Sequence, residues 1–176
     1  MSDIDKLKIY SAMAENTRKW ISVMDTKAGF ISALNAGLLG FIWTGAKLIE
    51  NGCWQKGLAL AATVSSFASL MVALWIVLPR ASLQRAFGKN TAYIGDYKPI
   101  SFYGFVASNY SRKESGRFLS DVKKLDEAQL IDEALEQHFT TSHIAHAKTK
   151  CVEHAGYFLL SALFFTFAAL VAKVLN

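Results

Sequence analysis

Three stretches of this chain run without a charged side chain for long enough to cross a bilayer, and nothing else in it limits the fold as strongly. Residues 28–46 run 19 positions without a charge, residues 57–79 run 23, and residues 155–172 run 18. A hydrocarbon core of roughly 30 Å asks for about 20 helical residues. Lipid offers no partners for backbone N–H and C=O groups, so segments of this kind cross as helices that satisfy their own backbone. The rival reading is a buried helix in a soluble bundle. Such helices usually carry a charge or two, and three clean runs in 176 residues argue against it. The first run also starts behind a charged segment and lacks the short basic stretch of a cleaved signal peptide. The expectation is an all-α integral membrane protein with three retained transmembrane helices.

Orientation follows from the basic residues, because lysine and arginine accumulate on the cytosolic side. Sixteen of the 19 lie in residues 1–27 or 80–150, and only Lys47, Lys56 and Lys173 lie elsewhere. The N-terminus and the segment between the second and third runs are therefore expected in the cytosol, with the short hairpin loop and the C-terminus outside. The net charge of +5 is on this reading mainly a topology signal. The chain divides into residues 1–27, the cytosolic part of a long N-terminal helix; 28–79, a hairpin with spans at 28–48 and 57–79; 80–154, a small helical cytosolic lobe; and 155–176, the third span. Cys53 and Cys151 fall on opposite sides and cannot pair with each other.

Ahead of the first run, Leu7, Tyr10, Ala14, Thr17, Ile21 and Met24 recur at 3-4-3-4-3 spacing, a seam of heptad period. It continues in phase through Ala28 and Ile31 with no proline or glycine-rich break. Residues 3–48 are thus expected to form one helix of about 46 residues, roughly 69 Å long. A seam of that length needs a partner: the 112–154 region of the same chain, a second subunit, or both. Asn51-Gly52 is a turn signal, and Trp43, Trp54 and Trp75 stand near span ends, as a headgroup belt would place them. Residues 81–110 read as irregular. From Ser111 the pattern turns helical, first over 111–125, then from an Asp126 cap directly into the third span.

Catalytic signatures are missing. There is no glycine-rich phosphate loop, no nucleophile elbow and no His-Glu-x-x-His pattern, and the four histidines lack an evident third ligand. Neither an enzyme nor a metal site is expected, and no cofactor. Within the spans Asn35 is the most informative polar residue, since an amide in hydrocarbon wants an interhelical partner. Ala36, Gly37 and Gly40 beside it, and the stretch Ala62–Ser69 of the second span, offer small faces for close packing within the chain or between copies.

Asp25-x-Lys27-Ala28 opens the first run, Pro79-Arg80 closes the second, "SFYGFVASNYS" (101–111) precedes a short helix, and Gln137, Ser142 and Lys148 precede the last run. In this order, over roughly residues 15–172, these features resemble the transmembrane effectors of Pycsar anti-phage defence. Tyr103 and Phe105 stand where many members have a second phenylalanine and a histidine, and residues 87–99 match no family position. The resemblance implies that a phage-triggered pyrimidine cyclase makes a cyclic pyrimidine mononucleotide, cUMP or cCMP. The effector senses it, impairs the inner membrane and stops growth before phage spread, an abortive infection.

Such a ligand carries one negative charge, a ribose hydroxyl and a flat base. Arg80, Arg112 and Lys148 are candidates for its phosphate. Phe102, Tyr103 and Tyr110 are candidates for stacking, and Asn109, Ser142 and His143 for reading polar edges. The bases serve topology and headgroup contact equally well, and the aromatics serve packing of the lobe. Asp25 and Lys27, two apart on a helix, point about 200° away from each other and cannot pair well. Lys27 is expected to snorkel. Asp25 at an apolar boundary needs a base, with Lys148, Lys150 or Arg80 at similar depth. Asp25, Lys27 and Asn35 are accordingly the structural or switch candidates. The expected partners are the cyclic nucleotide, the bilayer, the cyclase and further copies of the chain, with no nucleic acid polymer. A constitutive membrane-anchored scaffold and a holin-like pore former remain the alternatives.

Overall fold

The computed structural model describes residues 3–49, 52–77, 106 and 109–175. Of these, 91% are helical and none lies in a strand, so the chain is all-α over that range. The elements are α1 (Asp3–Gly40), continued by a π-helical turn (Phe41–Gly45); α2 (Cys53–Val77); α3 (Ser115–Lys123); and α4 (Glu127–Leu175). Helix α1 with its π extension, α2 and α4 are each long and apolar enough to cross a membrane. Two compact units emerge: unit 1 is Met1–Arg18 with Pro79–His143, and unit 2 is Lys19–Leu78 with Ile144–Asn176.

The long first helix forms as the seam requires. Each of the positions 7, 10, 14, 17, 21, 24, 28 and 31 is buried or half-buried, while most residues between them are exposed. In α2 the buried positions are Gln55, Ala59, Ala62, Ser66, Ser69, Ala73 and Ile76, again at 4-3 spacing. In the unit 2 part of α4 they are Ala155, Leu159, Ala162, Thr166 and Ala169. A 3.5-residue period on all three helices is the pattern of knobs-into-holes packing. The side chains on these seams are small, which lets backbones approach closely, as packing in lipid requires. Phe30, Leu60, Val64, Phe67, Leu160, Phe164 and Phe167 are exposed on the outer faces of unit 2, where hydrocarbon is the expected neighbour.

Unit 2 has two apolar layers. One is built from Ile42, Leu48, Ala59, Ala62 and Ala169, the other from Ala28, Ala73, Ile76 and Ala155. The expected helix over 3–48 differs at its end. It leaves α geometry after Gly40, in a turn where the Thr44 hydroxyl donates to the Gly40 carbonyl at 2.6 Å. Ala46 N–H instead reaches back five residues to Phe41 O at 2.8 Å. Gly45 belongs here because an added Cβ would stand 3.3 Å from the Phe41 ring. The chain then stops at Lys47, whose φ of 48° is left-handed; Leu48 N–H closes back on Ile42 O at 3.1 Å. A non-glycine residue there costs about 1–2 kcal/mol. On α4, Lys173 Nζ donates to Ala46 O at 2.8 Å.

In unit 1, α4 starts where Asp126 predicts. Gln129 N–H donates to Asp126 Oδ1 at 2.7 Å, and Asp126 N–H donates to Gln129 Oε1 at 3.1 Å. This is a reciprocal capping box. Helix α3 is shorter than the expected 111–125. Its approach is a turn in which Ser111 N–H donates to Glu114 Oε2 at 2.8 Å. That bond is the main reason the exposed Glu114 carboxyl is held below its ordinary range, with Arg117 adding to it.

Candidate functional site

In the middle of unit 2, Asn35 of α1, Ser66 and Ser69 of α2 and the Ala155 carbonyl of α4 form one hydrogen-bonded layer. The three side chains are 0% exposed. Asn35 Nδ2 donates to Ser69 Oγ at 2.8 Å and to the Ile31 carbonyl at 2.9 Å. Ser66 Oγ donates to Asn35 Oδ1 at 2.9 Å, and Ser69 Oγ donates to Ala155 O at 2.7 Å. Each polar side-chain atom of the layer is therefore engaged, and three helices are tied at one level. Thr166, one seam position from Ala169, returns its hydroxyl to Ala162 O at 2.7 Å. Gln55, near the first turn of α2, behaves differently. It is 1% exposed, and its Nε2 has no hydrogen-bond partner among the described residues.

At the other end of the same seams, Lys148 Nζ pairs with Asp25 Oδ1. The carboxylate is 37% exposed and the ammonium-bearing side chain 22%, so the pair sits at a boundary. Lys150 is exposed, and so is Lys27. Of the bases the sequence offers to Asp25, Lys148 is the one that takes it among the described residues. The layers succeed one another along the seams: ion pair, the Ala28–Ala155 apolar layer, the Asn35 layer, the Ile42–Ala169 apolar layer, then Gln55.

The nucleotide candidates lie mostly in unit 1. Arg80, Phe102 and Tyr103 fall outside the described residues. Asn109 and Arg112 are exposed. Tyr110 is engaged inside the unit: its hydroxyl donates to Asp121 Oδ2 at 2.8 Å, its ring lies 5.3 Å from that of Phe118 at 74°, and the Arg117 guanidinium stands 5.8 Å from its centroid. Ser142 Oγ donates to His138 O at 2.7 Å, one turn back. His143 is exposed, its ring set edge-to-face against Phe139 at 4.6 Å. Lys148 belongs to unit 2 and to the ion pair. The structure thus joins Asp25 with Lys148, while Tyr110, Ser142 and His143 each make the local contacts just described.

Several contacts escaped the sequence reading. Arg18 Nη2 donates to Gln137 Oε1 at 2.6 Å, and Thr17 Oγ1 shares a hydrogen with His138 Nδ1 at 3.2 Å; together they bind the first part of α1 to the first part of α4. Thr17 was marked by its seam position, but no spacing rule points from it to His138. Glu133 is a charged residue 2% exposed. Its neighbour Glu136 has a carboxyl pushed above the ordinary range, first by burial and then by the charge of Glu133. Gln55 was detectable by its 4-3 spacing with Ala59 and Ala62.

A family model described as the Pycsar effector protein domain matches residues 9–174, nearly the whole chain. No curated protein and no solved structure matches.

Proposed function

We propose, because this chain belongs to the Pycsar effector family, that it senses a cyclic pyrimidine mononucleotide and then impairs the bacterial inner membrane, ending growth before phage spread. The observation that carries this reading is the family match over residues 9–174. Three helices long enough to cross a bilayer agree with it. The signal, cUMP or cCMP, comes from a cyclase partner and is received in the 80–154 lobe. There Arg112 faces the phosphate, Asn109, Ser142 and His143 supply polar edges, and Arg80, Phe102 and Tyr103 complete the set. Receipt of the ligand rearranges the Asp25–Lys148 contact, and Tyr110 leaves its place beside Phe118 to meet the base. The N-terminus is cytosolic and the C-terminus external, as the basic residues require. The protein acts as a homo-oligomer. Gly29, Gly37 and Gly40 of α1 support this, since an added Cβ at any of them would meet nothing within 4 Å among the described residues, and open small faces suit helix association in lipid.

Expression with and without a pyrimidine cyclase tests the reading. Growth arrest only with the cyclase supports the sensor. Arrest without it points to a signal-free pore former, and no arrest in either case points to a scaffold. A reporter fused at Asn176 should behave as external; a cytosolic signal there ends the topology.

A further inference from the structure

The outer faces of unit 2 are phenylalanine, leucine and valine, which water does not wet. The inner seams carry alanine, serine, asparagine and glutamine between the isoleucine and leucine side chains of the two apolar layers. Any aqueous route that this chain opens through a bilayer must therefore run along the seams. We infer that the inward stripe of α2, from Gln55 through Ser66 to Ser69, with Asn35 of α1 facing it, is the surface that lines the membrane lesion. This inference rests on the proposed membrane impairment and names the residues that carry it.

Three observations support it independently of one another. The polar side chains repeat along a single stripe. Gln55 and Ser69 are 14 residues apart on α2, about 21 Å at 1.5 Å per residue, which covers most of a hydrocarbon core of roughly 30 Å. Second, the amide Nε2 of Gln55 is buried on that stripe with no partner among the described residues; a buried donor left unsatisfied favours any rearrangement that brings it an acceptor such as water. Third, the polar layers are separated by apolar ones, Ile42–Leu48–Ala59 on one side of Asn35 and Ala28–Ala73–Ile76 on the other. Apolar constrictions in series with polar rings close a conduit by dewetting.

The closed arrangement hides these groups without loss. Asn35, Ser66 and Ser69 bond to one another and to Ala155 O, so exchanging those bonds for water trades like for like once the helices part. The solutes are water and small ions. The lining amides and hydroxyls are neutral, so the stripe itself selects weakly between anions and cations.

Cysteine accessibility in the full-length protein tests this. Ser69→Cys and Ala62→Cys place a thiol on the stripe, and Phe67→Cys places one on the outer face. Cells carrying each variant, with and without a pyrimidine cyclase, are treated with a charged water-soluble methanethiosulfonate. Labelling is located by peptide mass spectrometry, which reads the native thiols Cys53 and Cys151 separately. Membrane potential is recorded in parallel. The expected result is that the stripe thiols label at least about tenfold faster with the cyclase, the least a shift from a minor to a dominant state gives, while Phe67→Cys stays unlabelled throughout. Depolarisation with both stripe thiols still protected overturns the inference and leaves the functional reading standing. No depolarisation in the native-sequence protein overturns the functional reading and this inference with it. Ala62→Cys keeps the test decisive if Ser69→Cys loses its bond to Ala155 O and fails to assemble.

Discussion

In unit 2 the buried polar side chains are Asn35, Gln55, Ser66, Ser69 and Thr166, all neutral, whereas unit 1 buries the carboxylate of Glu133 with Glu136 beside it. The first group bonds mostly to one another and to helix carbonyls. In unit 1, by contrast, charged groups take part in such bonds, Arg18 to Gln137 and Tyr110 to Asp121, beside the Thr17–His138 contact. The difference is the one expected if lipid surrounds unit 2 and water surrounds unit 1. A charge deep in hydrocarbon is costly wherever the helix goes, while a hydroxyl can always return to its own backbone. In a water-facing lobe, a charged group that loses its partner can be rehydrated, so ionic and charge-assisted bonds remain useful at its surface. The Asp25–Lys148 pair stands between these cases, charged but partly exposed.

The sharpest way to break this comparison is Asn35→Leu. It removes two interhelical side-chain bonds worth about 1–2 kcal/mol each at the upper end of membrane measurements. It also forces a larger side chain into a small-residue seam, at about 1–3 kcal/mol. Melting of the detergent-solubilised protein should fall by an amount matching about 3 kcal/mol or more. An unchanged melt means that the neutral layer is decoration and the seams hold by packing alone.

Asp25→Ala comes next. Breaking a fully buried pair costs about 3–5 kcal/mol and a surface pair about 0–1; a partly exposed pair falls between, at about 1–3. The variant should stay membrane-inserted but lose cyclase-dependent toxicity, and Lys148→Ala should do the same. Lys27→Ala, at an exposed position, should keep at least part of the response. Wild-type behaviour from Asp25→Ala reduces the aspartate to a marker of the helix's water-facing end.

A milder loss is expected from Tyr110→Phe, which deletes the bond to Asp121 while keeping the ring beside Phe118 and Arg117. Hydrogen bonds to charged groups contribute about 1.5–3 kcal/mol, and the half-buried Asp121 places this one near the low end. If ligand sensing needs Tyr110 to swing out, the same variant should also bind the cyclic nucleotide more readily in a thermal-shift panel.

The smallest effect has the opposite sign. Glu136 carries a folded carboxyl above its ordinary range, so the folded chain holds that proton more tightly than the unfolded chain. Its favourable contribution is complete below the unfolded carboxyl value and is lost as pH rises through the folded one. Glu136→Gln should therefore stabilise unit 1 at neutral pH and make no difference in acid. Equal melts at both pH values would show that Glu136 is already compensated, and unit 1 would then resemble unit 2 more than argued here.

Much of this was legible beforehand, wherever one residue or one period decides the structure. The 3-4 repeat from Leu7 to Ile31 fixed the buried face of α1, because a helix presents the same side at that interval whatever it packs on. Asp126 marked where α4 starts, because a short side-chain acceptor caps amides within the next turn; the return bond to Gln129 was found only in the structure. The π turn was not legible. It is a five-residue change of hydrogen-bond register at the end of α1, and no residue spacing in the sequence signals it. Nor was the Tyr110–Asp121 bond, which joins residues on either side of a turn at a separation no helix period selects. The nucleotide candidates were chosen for their chemistry alone, and chemistry does not say which side chains converge.

Within unit 2, α4 lays Ala155, Leu159, Ala162, Thr166 and Ala169 on one seam. A helix seated in such a seam can move in only two ways without unwinding, a twist about its axis or a slide along it. Both change which seam residues meet, and both do so in steps, because interlocked side chains engage at whole positions rather than between them. A protein wired this way is built to click. On the proposed function, each copy should then be either sealed or open, with no half-open state between them.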